Sequence, residues 1–349
     1  MTDKNSKTEL LNQFIGTMPG VIAFFGLGSN VFKQIGNGTK EGQIDGIAAI
    51  ENGPKFHIKN MKFNPKYYSI TGKLFFWSTQ FKLTKQVQLV GADICYLTYI
   101  KYEGKTFKVG FIERQDLLDD LTNWKNLYMA GRFMKVMLTL FSDPEINAAI
   151  DYNRRSALIV SLLMLPEDKY NLYELYHLLI SLSYKGDFRT GIKTGDTTIL
   201  NFENPDKVNN LLSGNYQGYH DLYFHHDDLY DKDRYPDFKM IDHSLPECEI
   251  NKQVLRCFEE ININPNIQQL LPLVKTLPTS LQVYLQMHHV DINDLPALRI
   301  VLADYFTDIN SRVTFPQGIK GIFTSGPINT VHYIYDKGIK AATKTLKHK

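Results

Sequence analysis

The sequence predicts an α+β protein: a sheet-containing N-terminal part followed by a mostly helical remainder. Short apolar runs bounded by glycine turns crowd the first third of the chain: "VIAFF", "QIDGIAAI", "QLVGADICYLTYIKY" and "KTFKVGFI". Beyond them the apolar positions recur at the three-to-four spacing of helices. The chain has 349 residues, 43% hydrophobic and 22% charged, which is ordinary globular composition and room for more than one core.

Each element can be justified in order. Leu10, Leu11, Phe14 and Ile15 recur at helical spacing behind Ser6 and Thr8, so a helix is expected over residues 6–17, closed by Pro19-Gly20. "VIAFF" is a buried strand ending in the Gly26/Gly28/Ser29 turn, "NVFKQI" a short helix, and "QIDGIAAI" a second strand. Further strands are expected over 88–102 and 105–112, joined at Glu103-Gly104, and a helix over 113–131 ending at Gly131. Two amphipathic helices, 145–164 and 171–184, flank Pro166, and "SYKGDFRTGIKTGDTTILNF" follows as a turn and hairpin. Helices with a hairpin fit a small winged-helix-like module. A Tyr-, His- and Asp-rich connector is expected over 216–238 and helical segments over 251–307. The expected divisions are 1–142, 143–250 and 251–349.

Bulk properties exclude several classes. A net charge of +2 argues against a protein that coats nucleic acid. Cys95, Cys248 and Cys257 form no CxxC pair, so neither a disulfide framework nor a thiolate zinc site is supported. The longest apolar run, "ALIVSLLMLP", is about half a membrane span. The N-terminus, "MTDKNSKTELLNQ", reads as neither a signal peptide nor an Arg-rich presequence.

The stretch "FFGLGSNVFKQ" places Gly28-Ser29 at a strand end, and Asp45 lies inside the next apolar strand. DNA polymerase β-type nucleotidyltransferases use such a Gly-Ser turn to hold the terminal phosphates of a nucleotide through backbone N–H groups and the hydroxyl. A carboxylate on the next strand then holds Mg²⁺. The competing reading is a simple tight turn with Asp45 at a solvated strand end. A dinucleotide fingerprint is excluded, because "GLGSNV" lacks the third glycine of G-x-G-x-x-G.

In "DLLDDLTNWKNLYMAGRFMK" the apolar positions describe a core-facing helix. Arg132 and Lys135 at its end are either phosphate clamps or solvated charges, and Asp120 is a second carboxylate or a helical surface acid. "LSYKGDFR" sets Asp187 and Arg189 around a glycine turn, where a structural Asp–Arg pair is the plain alternative. His225 to Asp228, "HHDD", has poor spacing for one metal and reads as a polar loop. In the C-terminal stretch, Tyr335, Ile339, Ala342 and Leu346 share one helical face, opposite Lys337, Lys340, Lys344 and Lys347. That pattern suits an anionic membrane surface, or simple solubility.

Taken together, these segments resemble the mitochondrial translocator assembly and maintenance family, the peripheral-membrane phosphatidate cytidylyltransferases. Gly28, Ser29, Val31, Phe32 and Gln34 match its Gly-Ser turn, Asp45 and Ile47 its acidic strand, and Phe56-His57 a downstream aromatic-His pair. Lys108 to Phe111 echo a "K-[YV]-G-V" strand. Asp120, Leu121, Trp124, Asn126, Leu127, Tyr128, Ala130, Gly131, Arg132 and Lys135 match "DLxxWxNLYxAGRxxK", Leu182 to Arg189 match "LSYxGDFR", and Lys320 to Gly326 match "KGIFTxG". Leu27 and Asn30 depart from the family turn, where an aromatic and a glycine are usual.

The resemblance implies a polymerase β-type nucleotidyltransferase domain and the reaction CTP + phosphatidic acid → CDP-diacylglycerol + pyrophosphate with Mg²⁺. It assigns Gly28, Ser29 and Gln34 to the β- and γ-phosphates, Asp45 to the metal, and Asp120 or Asp187 as a further acid. Lys108, Arg132, Lys135, Arg189 and Lys320 supply positive charge for CTP or the lipid head group, and the basic C-terminal helix supplies the membrane contact. The absent presequence and the composition suggest a bacterial-type member on the cytoplasmic face of the cell membrane, with the matrix side of the mitochondrial inner membrane as the alternative. Two other functions stay open: a non-catalytic membrane-assembly factor on the same fold, and a nucleotidyltransferase with a non-lipid acceptor.

Overall fold

The computed structural model describes residues 2–28, 43–70, 72–73, 91–165, 170–187, 205–224, 262–263 and 267–326. Its centre is a five-stranded mixed sheet in the order β3-β4-β2-β1-β5, built from β1 (Val21–Leu27), β2 (Ile44–Ile50), β3 (Ile94–Tyr102), β4 (Lys105–Glu113) and β5 (Leu138–Phe141). β2 and β4 run parallel, and the other neighbours are antiparallel.

Alternation, interrupted by register shifts in β1 and β3, sends the two sides of the strands into separate cores. Phe24, Ile44, Ala48, Ile50, Phe107, Val109 and Phe111 face a core closed by α1 (Thr2–Gly16) and α2 (Gly53–Phe63). Phe14 of α1 stacks on Phe107, with ring centroids 4.0 Å apart. Ala23, Phe25, Ile47, Ala49, Ile94 and Ile112 face the other side. That side is covered by α3 (Arg114–Asn123), α4 (Ala130–Phe133) and the first turns of α5 (Pro144–Met164).

The remainder is a helical layer. α5, α6 (Leu172–Ser181), α7 (Pro205–Phe224), α8 (Ile267–Leu270), α9 (Thr279–Met287) and α10 (Leu295–Ser325) enclose a third core around Trp124, Tyr176, Tyr223 and Phe306. β6 (Tyr170–Asn171) pairs with β7 (Asn262–Ile263) as a two-stranded patch.

The α+β class, the first helix, the four long strands and the helices over 145–164 and 171–184 follow the sequence reading, except that residues 91–93, expected within the strand over 88–102, form a bend before β3. Four readings change. The helix expected over 113–131 is broken into α3 and α4, because Trp124 and Leu127 take left-handed backbone angles and the chain between them folds round Asp120. The connector expected from residue 216 is helical through Phe224, as part of α7. α10 runs on to Ser325, well past 307. α2 and β5 were not read at all, although Asn52 caps α2 by accepting from the Lys55 N–H at 3.0 Å and Pro54 opens it. The hairpin expected after residue 187, on which the winged-helix reading depends, and the "HHDD" loop lie outside the described residues. α5 and α10 each contribute to two of the cores, and the division expected at 250 lies outside the described residues.

Candidate active site

Asp45 occupies the second position of β2, on the side of the sheet that faces α3 and α4. Its cross-strand neighbours are Leu27 on β1 and Lys108 on β4, so an acid and a base stand side by side where β1 ends. Immediately after β1, Gly28 adopts φ +83°, a conformation that glycine reaches at no steric cost. A Cβ there would stand 3.4 Å from Asp45 Oδ2, so the glycine backbone lies directly against the half-buried carboxylate.

The cations near Asp45 rest on aromatic rings. Lys108 Nζ lies 4.9 Å from the ring centroid of Tyr96 on β3, and the Arg132 guanidinium lies 3.7 Å from that of Tyr128. Arg132 also donates to the Tyr128 carbonyl at 2.5 Å. Such stacking orients a cation while keeping its donors directed outward. Tyr96 links the two: burial pushes its hydroxyl well above the ordinary range, Arg132 pulls it back, and a hydrogen bond with Tyr128 and the charge of Asp45 push it up. Gly110 makes this possible, since a Cβ there would come within 2.7 Å of the Tyr96 ring. Sequence reading missed Tyr96 and Tyr128 as site residues. The available signal was strand alternation, which puts Tyr96 on the same side as Lys108 and Asp45.

Asp120 has a different task from the one expected of it. It is 2% exposed, and both oxygens are committed to backbone N–H groups: Asn126 at 2.6 Å and Leu127 at 2.7 Å on Oδ1, Met129 at 2.7 Å and Ala130 at 3.0 Å on Oδ2. Burial raises its pKa, and the four donors oppose that. A carboxylate so enclosed organises the loop rather than binding a metal beside Asp45. Trp124 of the same motif is also internal, donating to Asn153 Oδ1 at 2.7 Å and packing on Phe306.

The two later motifs meet. Gly131 sits so close to Ser183 that a Cβ would approach the serine Cβ to 2.4 Å. Lys135 Nζ donates to Ser183 Oγ at 2.7 Å and lies 3.7 Å from the Tyr184 ring centroid. Asp187 closes this turn, buried, its N–H on the Tyr184 carbonyl at 3.1 Å. Lys320 on α10 is 4% exposed. Burial lowers its pKa, with Cys95, Asp93, Tyr128 and Asp116 raising it. A clamp for a lipid head group needs an exposed ammonium, so this lysine serves an internal network with Asp93 and Asp116, which Lys125 also bridges at 3.0 and 3.7 Å. Cys95 is buried, its thiol pushed up to about 11, which makes it unreactive.

Ser29, Gln34, Arg189, Lys337, Lys340, Lys344 and Lys347 lie outside the described residues. Among the described residues no group of three or more His, Cys, Asp or Glu side chains is placed to hold a metal. A Mg²⁺ that takes most of its oxygens from nucleotide phosphates and water needs only one or two carboxylates. Asp45, a half-buried hard oxygen donor beside the Gly28 backbone, fits that requirement.

Comparison with known proteins agrees with the motifs. A family model described as phosphatidate cytidylyltransferase, mitochondrial, matches residues 9–340. The protein of that name from Schizosaccharomyces pombe is 30% identical over 346 residues, covering 96% of this chain and 83% of its own. The Drosophila melanogaster protein is 29% identical over 340 residues, covering 90% and 93%. The Dictyostelium discoideum protein is 36% identical over 240 residues, covering 62% of this chain and about half, 52%, of its own.

Proposed function

The chain belongs to the mitochondrial phosphatidate cytidylyltransferase family, and from this we propose that it transfers CMP from CTP to phosphatidic acid, releasing pyrophosphate. The observation that carries the reading is local: Asp45, Lys108 and the Gly28 turn share one side of the sheet, with Lys108 bedded on Tyr96 and Arg132 on Tyr128.

The chemistry asks little proton transfer of the protein. A phosphate monoester has a second pKa near 6 and is mostly dianionic at neutral pH, so the lipid phosphate oxygen attacks the α-phosphorus of CTP without a general base. The new P–O bond forms as the bond between the α-phosphorus and the bridging oxygen breaks, and pyrophosphate leaves with that electron pair. What remains is charge neutralisation and in-line positioning. Mg²⁺, held by Asp45, would supply charge at the triphosphate. Lys108 and Arg132 offer N–H donors to phosphate oxygens, and their aromatic beds fix the direction of those donors. Gly28 presents backbone where a side chain would obstruct the phosphates, and Ser29 and Gln34 continue that turn in sequence. Lys135 adds positive charge on the adjoining turn, and Arg189 follows in sequence as a further cation.

Purified protein should convert phosphatidic acid with CTP, and not with the other three nucleoside triphosphates, in a magnesium-dependent assay. Asp45→Ala should lower turnover roughly a thousandfold, the several kcal/mol typical of a catalytic metal, while leaving the melting temperature unchanged. A folded Asp45→Ala protein with full turnover removes the metal assignment. Nucleotide binding with no product would favour the assembly-factor reading.

No helix among the described residues is long and apolar enough to cross a membrane. We place the protein peripherally on an anionic membrane, through the basic face at Lys337, Lys340, Lys344 and Lys347. The relatives are mitochondrial by name, which favours the mitochondrial alternative; nothing in them supports the cytoplasmic face of the cell membrane. Lys340→Glu with Lys344→Glu should weaken co-sedimentation with anionic vesicles, most clearly at low salt. Equal sedimentation would remove the tail as an anchor.

A further inference from the structure

The segment between β2 and β3 has an uneven charge that the reaction does not use. From Asn52 to Ala92 the sequence holds seven lysines and no Asp, Glu or Arg. Three of them, Lys55, Lys59 and Lys62, stand at i, i+4 and i+7 of α2 and are all exposed, so they form one outward stripe. The opposite side of the helix, with Phe56, His57 and Asn60, is buried in the sheet core. Among the described residues none of the three engages in an ion pair.

Large apolar groups stand beside that stripe. Phe63, the last residue of α2, is 65% exposed, and Ile70, shortly after it, is 75% exposed. The same rim receives the end of α10, where Ser69 Oγ donates to the Thr324 carbonyl at 3.4 Å. α10 carries its own exposed apolar row, Phe315, Ile319 and Ile322, again at i, i+4 and i+7. The turn after α2 and the far end of α10 both pack against β3, the edge strand that supplies Tyr96.

We propose that the outer face of α2, with Phe63 and Ile70, is an anionic-bilayer docking surface that sets the β3 edge against the lipid. The combination argues for a bilayer rather than for RNA or an acidic protein. Lysines on a helix surface are attracted to anionic head groups without needing defined partners, and flanking Phe and Ile side chains can enter the head-group boundary. RNA recognition would make no use of the exposed Phe63 and Ile70 side chains. This surface uses residues other than those of the C-terminal stretch and deepens the reading of a lipid-modifying enzyme, on which its purpose rests.

The test uses the full chain and vesicles of phosphatidylcholine with or without phosphatidylglycerol. Wild-type protein should bind only the anionic vesicles. The triple variant Lys55→Gln, Lys59→Gln, Lys62→Gln should bind them on the order of a hundredfold more weakly, with an unchanged melting temperature. It should also turn over a short-chain, water-soluble phosphatidic acid as wild type does. Phe63→Ser with Ile70→Ser should weaken the binding that persists at high salt, where lysine attraction is screened. Vesicle binding by the triple variant equal to wild type overturns the proposal, as does a drop in its turnover of the soluble lipid, which would put the lysines in the active site. Preferential, lysine-dependent binding of an RNA oligonucleotide overturns it too. Lysine-dependent vesicle binding without turnover of any phosphatidic acid would reject the proposed activity and sustain the surface.

Discussion

Asp45 and Asp120 look alike in the sequence, each an acid among apolar neighbours, and the fold gives them opposite tasks. Asp45 keeps part of its surface open beside a side-chain-free glycine, whereas Asp120 is enclosed by four N–H donors. His57 is a third ionisable group in an apolar setting. It is fully buried among Phe56, Tyr68 and Phe111, its Nδ1 3.0 Å from the Tyr68 hydroxyl, and burial lowers its pKa to about 3. The folded state therefore keeps the ring neutral where the unfolded chain binds a proton. This term leaves stability intact above the unfolded value near 6.5 and erodes it as pH falls toward about 3. The loss should reach about 2–3 kcal/mol by about pH 4.5. Thermal melts from neutral to acidic pH should fall more steeply for wild type than for His57→Gln, which starts lower but titrates less. Parallel curves would contradict the assignment.

At the scale of elements, the break between α3 and α4 decides how the site is built. Helix propensity alone would carry the chain through "LTNWKNLYMAG". Instead the Asp120 carboxylate collects the N–H groups of residues 126, 127, 129 and 130, offering the backbone a better set of partners than another helical turn. The detour sends Trp124 into the helical core and brings Tyr128 and Arg132 up to Tyr96, which also feels the charge of Asp45. Asp120→Ala should cost about 4 kcal/mol, because several buried donors lose their acceptor together. It should also lower affinity for CTP through Arg132. Urea unfolding and nucleotide titration check the two effects. A stable variant with normal nucleotide affinity would mean that the loop holds its shape without the carboxylate.

At the scale of the molecule, α10 is the strut between the two layers. Leu298, Leu302 and Phe306 belong to the helical core, and Val313 belongs to the sheet core. Gln317 then grips the start of β3, accepting from Ala92 N–H at 3.0 Å and donating to the Ile94 carbonyl at 3.3 Å. Gln317→Leu should cost about 1–3 kcal/mol through the unsatisfied buried N–H, and speed amide exchange at residues 91–95. Unchanged exchange there would show that packing alone holds the strut.

The sequence by itself was enough for the α+β class, the order of the long strands, the family motifs and the residue types suited to phosphate chemistry. Strand alternation and helical spacing are local, so they survive in one dimension: Asp45, Lys108 and Gly28 were all legible as candidates. What the tertiary structure alone decided was which candidates share a surface. Register placed Lys108 beside Asp45 across some sixty residues of sequence, and the close approach at Gly110 admitted Tyr96 as a bed for the lysine. Burial turned Asp120 inward onto the N–H groups of its own loop, and turned Lys320 inward where α10 packs on β3. The chemistry of a side chain is set by its covalent structure, but its availability is set by neighbours that may be hundreds of residues away.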